Sequence, residues 1–209
     1  MQRLLSVFLM AAGIGLAAGG WVDLLPDAKF TGWTRLPIPP TGKLADVSQW
    51  KTDRARRLIV CEGNGGHEWL RYDRELSDFL LHVEWRFTPR TEGETKYNSG
   101  IFFRNSADGA IWHQAQTGAG NGGYIFANTL VGGAPKRISL KDTSTGGLEK
   151  PAGEWNTFDI RCEGRKVTLT VNGKVATEFS DCDVPKGYIG LEAEGYRIEF
   201  RNLRVKDLK

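Results

Sequence analysis

Cysteine and histidine are scarce in this chain of 209 residues, with three of each. The three cysteines are an odd number, lie far apart and lack the spacings of a zinc site or of a disulfide framework. A bridge between Cys162 and Cys182 stays open, because both fall near one end of a predicted three-strand meander. No His-x-His or His-x-x-His pair occurs, so the sequence does not indicate a zinc site.

An excess of charge of either sign is also absent. The 28 basic and 25 acidic residues are interspersed and leave a net charge of +3, without the basic stripe that is typical of nucleic acid binding. The glycine-rich segment 118–123 is not followed by the helical pattern that a phosphate-binding loop needs. No Gly-x-Ser-x-Gly motif occurs either. We therefore expect no nucleic acid partner and no nucleotide or flavin site.

Long apolar runs are absent after the first 20 residues. A positively charged start precedes an apolar run from Leu4 to Ala18, and small residues follow it. This order is typical of a secretory signal peptide, and the run is short for a membrane span of roughly 20 residues. A retained anchor is the alternative, although no cysteine marks a lipoprotein. We expect residues 1–20 to be removed before Trp21, leaving a periplasmic or secreted protein with no stable membrane span.

Helical periodicity is scarce in the remaining chain, whereas strand alternation is frequent. Phe79 to Phe87 alternates between apolar and polar residues, and Phe158 to Val171 repeats the pattern. Asn172-Gly173 is a strong hairpin signal, because both turn positions need positive φ. Many short strands with glycine-rich turns predict an all-β, two-sheet antiparallel sandwich over residues 21–209. The residues expected in its core are Leu81, Val83, Trp85, Phe103, Phe158, Ile160, Leu169, Ile189, Leu191 and Phe200.

Polar residues recur with period two on several predicted strands. On the predicted strands, Arg104 lies on the same side as Phe102, and Gln114 and Gln116 lie on the same side as Trp112. Guanidinium and amide groups beside aromatic rings suit sugar hydroxyls and ring faces, although a solvated face of ion pairs is the alternative. The side chains expected to line one pocket are Glu84, Arg104, Gln114, Gln116 and Glu194, with Trp112 or Tyr124 as a stacking wall.

Several segments in a fixed order resemble a known family. They are Leu24 to Trp33, Asp78 to Arg86, Asn98 to Arg104, Lys150 to Asn156, Gly187 to Glu192 and Phe200 to Asn202. Over residues 21–208 the chain resembles the 3-keto-disaccharide hydrolase domain family, which implies a concanavalin A-like lectin/glucanase fold, a jelly roll.

The chain departs from that family at two positions. It carries Gln114-Ala115-Gln116 where many members carry Glu-x-Gln. It carries Glu192-Ala193-Glu194 where the family often reads Gln-x-His or Gln-x-Glu. An amide cannot replace a carboxylate as acid, base or metal ligand, so the resemblance implies that the carboxylate has moved or that the activity differs.

The resemblance implies cleavage of glycosides already oxidised at C3. A base removes the acidic C2 proton, the enolate expels the C1 substituent, and water adds to the product. Glu194 is the first candidate base, Glu84 the second and His113 a third; Arg104, Arg86 or a divalent cation would stabilise the enolate. The expected substrate-binding residues are Gln114, Gln116, Arg86, Asn98, Trp112, Tyr124 and Glu192. A non-catalytic carbohydrate-binding module on the same fold is the alternative.

Overall fold

The computed structural model describes residues 20–90 and 96–208, and within them fifteen strands carry the fold. The segment interpreted as a signal peptide lies outside these residues, apart from Gly20. The first seven strands are β1 (Val22–Asp23), β2 (Trp33–Pro37), β3 (Trp50–Asp53), β4 (Leu58–Cys61), β5 (Glu68–Tyr72), β6 (Phe79–Phe87) and β7 (Ser99–Asn105). The others are β8 (Trp112–Thr117), β9 (Ile125–Val131), β10 (Ala134–Ser139), β11 (Asn156–Glu163), β12 (Lys166–Val171), β13 (Lys174–Phe179), β14 (Tyr188–Ala193) and β15 (Ile198–Asp207).

The strands form two antiparallel sheets. Sheet A has the order β13-β12-β11-β6-β15-β4-β3, with β1 also paired to β15, and sheet B has the order β10-β9-β8-β7-β14-β5-β2. A short 3-10 turn at Lys141–Thr143 is the only helical element in the described part of the chain. The predicted all-β sandwich is therefore confirmed. Within the described ranges, no helix has the length and apolar character to cross a membrane.

The core lies between the sheets and follows the alternation of the strands. Along β6 the odd-numbered residues are buried and the even-numbered residues are partly exposed. Trp85 packs edge-on against Phe87 and Phe158, with ring centroids 5.6 and 5.3 Å apart, a geometry that aromatic pairs prefer. All ten residues expected in the core are buried, which confirms the assignment of sheet faces.

Turn chemistry fits the same topology. Asn172 and Gly173 have φ of 48° and 81°, and they join β12 to β13 as the two turn residues of a hairpin. The cysteines Cys61, Cys162 and Cys182 are all buried free thiols, so no bridge links Cys162 to Cys182.

Candidate functional site

A pocket of about 380 Å³ opens on the outer face of sheet B. Its volume falls in the range of about 300–1,000 Å³ that is usual for small-molecule sites. Strands β5, β14, β7, β8, β9 and β10 contribute to it, and the segment after β2 forms one rim. Six of the residues expected at a site line it: Asn98, Trp112, Gln114, Gln116, Glu192 and Glu194.

Arg104 does not line this pocket. A β-bulge in β7 lies between Phe102 and Asn105, and it changes which residues of the strand face the pocket. Phe102 pairs with Gly190 but Asn105 pairs with Tyr188, so two residues of β7 oppose one residue of β14. Arg104 sits in the bulge with φ of 48°. Phe102 and Asn105 consequently face the pocket, and the Arg104 side chain turns inward.

The buried Arg104 guanidinium joins the ends of the two sheets. It is fully buried and donates to the carbonyl oxygens of Ser77, Gly164 and Val184 at 2.7–3.2 Å. It also forms an ion pair with Asp78 at 3.0 Å. A charge held in this way is satisfied by the protein and shielded from a ligand. We therefore correct the expected placement of Arg104 beside Glu194.

Glu84 and Arg86 also lie away from the pocket, on the outer face of sheet A. The sequence pattern correctly placed both residues on the exposed side of β6, but β6 belongs to sheet A, whereas the pocket lies on sheet B. Glu84 accepts hydrogen bonds from Arg201 at 2.7 Å and Asn202 at 2.5 Å. Burial raises the pKa of Glu84, but these two bonds outweigh it and leave the pKa lowered. Arg86 pairs with Glu199 at 2.8 Å.

His113 and Tyr124 are outside the pocket lining as well. His113 is buried on the core side of β8, where Nε2 is 2.6 Å from the Thr129 hydroxyl and Nδ1 is 3.1 Å from the Phe103 carbonyl oxygen. Burial lowers the pKa of His113 to about 4, so the ring is neutral at physiological pH. Tyr124 is half-buried, with the Lys141 ammonium 5.7 Å from its ring centroid.

A chain of polar side chains crosses the floor of the pocket from β5 to β8. The ring of His67 lies 2.9 Å from Glu192, and Gln114 donates to the other Glu192 oxygen at 2.5 Å. Gln116 accepts from Gln114 at 3.2 Å and donates to Asn98. Asn98 in turn donates to Glu194 at 2.6 Å. These bonds hold both carboxylates in one fixed arrangement.

Two glycines make room for this floor. A Cβ on Gly100 would lie 2.2 Å from the Gln114 amide nitrogen, so only glycine lets Gln114 reach across β7 to Glu192. A Cβ on Gly190 would lie 2.5 Å from the indole of Trp69, which forms part of the pocket wall. The glycines of β7 and β14 are therefore part of the site.

The two carboxylates face a histidine and have no arginine or lysine partner among the residues that the structure describes. Burial raises the pKa of Glu194, and the charge of neighbouring Glu192 raises it further, against the opposing effects of His67 and Asn98. Burial alone would lower the pKa of His67, but its hydrogen bond to Glu192 and the two carboxylate charges raise the pKa overall. No ion pair from Lys or Arg reaches either carboxylate in the described ranges. The site therefore holds a base and a protonatable imidazole side by side.

His67 lines the pocket but was not among the expected site residues, and the same holds for Trp69, Phe102, Phe126 and Arg137. His67 precedes β5 in a glycine-rich loop, where no alternation assigns it to a face. Its carbonyl oxygen accepts a hydrogen bond from the Ile38 backbone N–H at 3.0 Å, which fixes the loop beside the rim. One ligand atom from each of His67, Glu192 and Glu194 lies within 4.8 Å of the others. An imidazole nitrogen and two carboxylates suit a divalent cation.

The two departures from the family pattern meet in space. Gln114 and Glu192 are hydrogen-bonded to each other, so an amide on β8 and a carboxylate on β14 form one pair. The floor of the pocket keeps a carboxylate at this contact.

The sandwich resembles solved carbohydrate-related structures at low sequence identity. A putative glycosyl hydrolase from Parabacteroides distasonis superposes with a TM-score of 0.62 and 18% identity, covering 91% of this chain and 94% of that one. The carbohydrate-binding module CBM66 from Bacillus subtilis superposes with a TM-score of 0.57 and 16% identity, covering 84% of this chain and 96% of that one. Bacillus licheniformis β-glucanase superposes with a TM-score of 0.51 and 10% identity, covering 93% of this chain and 100% of that one. At these identities the likeness establishes the fold.

No curated protein sequence matches the chain significantly. The model of one family, described as the 3-keto-alpha-glucoside-1,2-lyase-like domain, matches residues 20–206. That match spans nearly all of the described chain, and it confirms the resemblance drawn from the sequence segments. The pocket, with its amides, carboxylates and aromatic walls, fits the carbohydrate-related function that this family indicates. The chain belongs to the family of 3-keto-alpha-glucoside-1,2-lyase-like domains.

Proposed function

We propose that the protein cleaves 3-keto-glycosides by removing the C2 proton and eliminating the C1 substituent, with hydration completing a net hydrolysis. The observation that carries the proposal is the environment of Glu194. This carboxylate lies in the pocket, lacks an arginine or lysine partner among the described residues, and has a raised pKa. A base of raised pKa is what abstraction of a proton beside a ketone requires.

Glu194 is the proposed base, with Asn98 orienting it. The C2–H bond breaks, its proton goes to a Glu194 oxygen, and its electron pair forms the enolate with the C3 oxygen. The enolate then reforms the ketone, a C1–C2 double bond forms, and the C1–O bond breaks with its electrons leaving on the aglycone oxygen. The aglycone oxygen takes up a proton, and water adds across the double bond. The balance needs no oxidant or reductant.

The enolate oxygen needs a donor in the pocket, and the buried Arg104 cannot supply it. His67 is the proposed replacement, because Glu192 favours its protonated form and both ring nitrogens of an imidazolium donate. The Gln114 and Gln116 amides lie on the same floor and can bind the sugar hydroxyls.

A divalent cation is a further candidate for this part of the site. His67, Glu192 and Glu194 would hold it, and it would act as a Lewis acid on the ketone oxygen. Glu194 cannot bind a cation through the same oxygen that accepts the C2 proton. A strict need for the ion would therefore move the role of base away from that oxygen.

The deciding experiment compares a 3-keto-glucoside with its unoxidised parent, with and without a chelator. The 3-keto-glucoside carries deuterium at C2. Release of the aglycone from this substrate but not from its unoxidised parent, with loss of the deuterium, supports the proposal. Loss of activity with chelator and recovery with added metal would assign the cation. A protein that binds sugars but never releases an aglycone or exchanges the C2 proton would be a carbohydrate-binding module on the same fold.

We also propose that the domain works outside the cytoplasm. The support is the charged start, short apolar run and small residues of 1–20, which are typical of an exported protein. N-terminal sequencing of the protein recovered from the periplasm or medium is the test. A protein that still begins at Met1 would contradict cleavage.

A further inference from the structure

The pocket has two chemically different halves. The polar half holds Glu192 of β14, Glu194 directly after that strand, His67 and the amides. The other half is apolar: Trp69 and Phe102 pack edge-on with centroids 5.5 Å apart, and Trp112 and Phe126 do so at 5.1 Å. If the sugar ring occupies the polar half, as the proposed function requires, the aglycone lies along the apolar half.

Arg137 closes the far end of the apolar half. Its guanidinium lies 4.5 Å from the Phe126 ring centroid and 4.9 Å from that of Trp112, and it lines the pocket from the exposed strand β10. Stacking of this kind fixes the plane of the guanidinium while its N–H donors remain available around the edge.

Arg137 differs from Arg86 and Arg201, two stacked arginines on sheet A, in having no anionic partner among the described residues. Arg86 and Arg201 both lie over the Trp155 ring, and each also forms an ion pair with a carboxylate. Over residues 20–90 and 96–208, the Arg137 guanidinium has no hydrogen bond or ion pair to a protein group, and its backbone pairs with Asn128 in the β9–β10 ladder. Its donors are left for a ligand.

The charges of the two ends also dictate a direction. Glu192 and Glu194 make the polar half unfavourable for an anionic group, because like charges repel strongly in a partly dehydrated pocket. Arg137 is the only arginine or lysine among the described residues that line the pocket. An acidic group on a ligand would therefore lie at the Arg137 end, and its sugar at the carboxylate end.

We propose that the preferred substrates are 3-keto-glycosides of aromatic aglycones that carry an acidic group, with the aromatic ring against Trp112 and Phe126 and the acid on Arg137. A planar carboxylate matches the guanidinium fork in two parallel hydrogen bonds. This inference rests on the proposed function for the position of the sugar, but the aglycone end stands on its own contacts.

The test compares 4-carboxyphenyl and 4-carbamoylphenyl 3-keto-glucosides, which differ in charge and little in size. We expect the carboxylate to be preferred by about tenfold in kcat/KM, mainly through KM, because charge-assisted bonds are about twice as strong as neutral ones. Arg137→Gln should remove the preference, so that kcat/KM becomes nearly equal for the charged and the neutral substrate. Arg137→Lys should keep only part of it, because a point charge lacks the fork.

Arg204→Gln is the matched control. Arg204 is exposed and lies 4.7 Å from the Trp21 ring centroid, on sheet A and away from the pocket. This variant should keep the full preference. An equal rate for both substrates in the wild type, or a preference that survives Arg137→Gln, would overturn the inference. A 3-keto-disaccharide cleaved faster than either aryl substrate, with no effect of Arg137→Gln, would show that a second sugar occupies the apolar half.

The outcome can be separated from that of the proposed function. If no 3-keto-glycoside is cleaved, the proposed reaction fails, and the affinities of the two unoxidised aryl glucosides are then measured by calorimetry. A carboxylate preference that Arg137→Gln removes and Arg204→Gln retains would uphold the aglycone site. Equal affinities would reject it.

Discussion

The outer faces of the two sheets carry the same residue types and differ in how the charges are paired. On sheet A, Glu84 accepts from Arg201, and Glu199 pairs with Arg86 and Arg197 at 2.8 and 3.0 Å. On sheet B, Glu192 and Glu194 contact amides and one histidine, with no arginine or lysine pair in the described part of the chain.

The difference in pairing shifts the pKa values of the carboxylates in opposite directions on the two faces. Burial raises the pKa of Glu199, but the arginines outweigh it and leave the pKa lowered, as at Glu84. Burial also raises the pKa of Glu194, and Glu192 adds to the shift. A carboxylate paired with arginine keeps a lowered pKa, whereas one without such a partner in a partly buried site binds its proton more tightly. The proposed chemistry is therefore assigned to sheet B.

The largest expected effect is on catalysis. Glu194→Gln should lower kcat for a 3-keto-glycoside by about 10²–10⁴, because it removes the base and keeps the shape. Glu84→Gln, the matched change on sheet A, should leave kcat nearly unchanged. Steady-state kinetics of both variants, with melting temperatures as the folding control, would measure this. Equal losses in the two variants would break the comparison between the faces.

The pH dependence of that activity follows from the same residue. A base works only when deprotonated, so kcat/KM should rise with pH through the pKa of Glu194, which lies above the ordinary value of 4.5. A pH profile of aglycone release measures the midpoint. A rate that is flat from pH 4 upwards would exclude a carboxylate of raised pKa as the base.

Two tryptophans provide the next contrast, in stability. Trp85 is 1% exposed between the sheets, and Trp85→Ala should lower the free energy of unfolding by about 3–5 kcal/mol. Trp112 lies partly exposed in the pocket, and Trp112→Ala should cost much less stability while weakening aryl glycoside binding. Urea unfolding of both variants tests the pair. Similar midpoints for the two would contradict this assignment of faces.

Arg104 tests the bulge of β7 with an effect of similar size. Arg104→Met removes the buried Arg104–Asp78 ion pair and leaves several carbonyls without their donor, and should cost about 3–5 kcal/mol of stability. The exposed Arg137→Met should change stability little. If Arg104→Met unfolds at the wild-type urea concentration but loses activity, Arg104 acts in the site after all.

Glu149 gives the smallest expected effect. It accepts backbone N–H bonds from Gly118, Gly120 and Gly122 at 2.8–3.3 Å, yet burial outweighs them and raises its pKa from 4.5 to about 7. The folded state therefore keeps this proton more tightly than the unfolded state. The stability it contributes is full below pH 4.5 and is lost as the pH rises through 7, by about 3 kcal/mol in all.

The measurement is the free energy of unfolding as a function of pH. Glu149→Gln should flatten the decline between pH 4.5 and 7, since the amide does not titrate. Glu163→Gln, on an exposed carboxylate, is the control and should leave the decline in place. An identical slope in wild type and Glu149→Gln would show that backbone donors offset burial at this site.

The alternation that predicted the sheets failed at particular residues of the site. Phe79 to Phe87 alternates without interruption, so its buried and exposed faces followed from the sequence. Arg104 was misplaced because one extra residue in β7 shifts the parity after Phe102, and nothing in the local sequence marks the bulge. His67 was missed because it stands in a glycine-rich loop, where side-chain direction depends on distant contacts such as that with Ile38.

The all-β class, the core residues and the hairpin at Asn172-Gly173 follow from the sequence alone, because period-two alternation and positive-φ turns are local properties. The family follows from the sequence as well, through segments spread over the chain. Which polar face carries the pocket depends on the order of the strands, and that order is set by contacts between residues far apart in the sequence. Glu84 and Glu194 look alike along the chain, and they differ because β6 and β14 lie in different sheets with different neighbours.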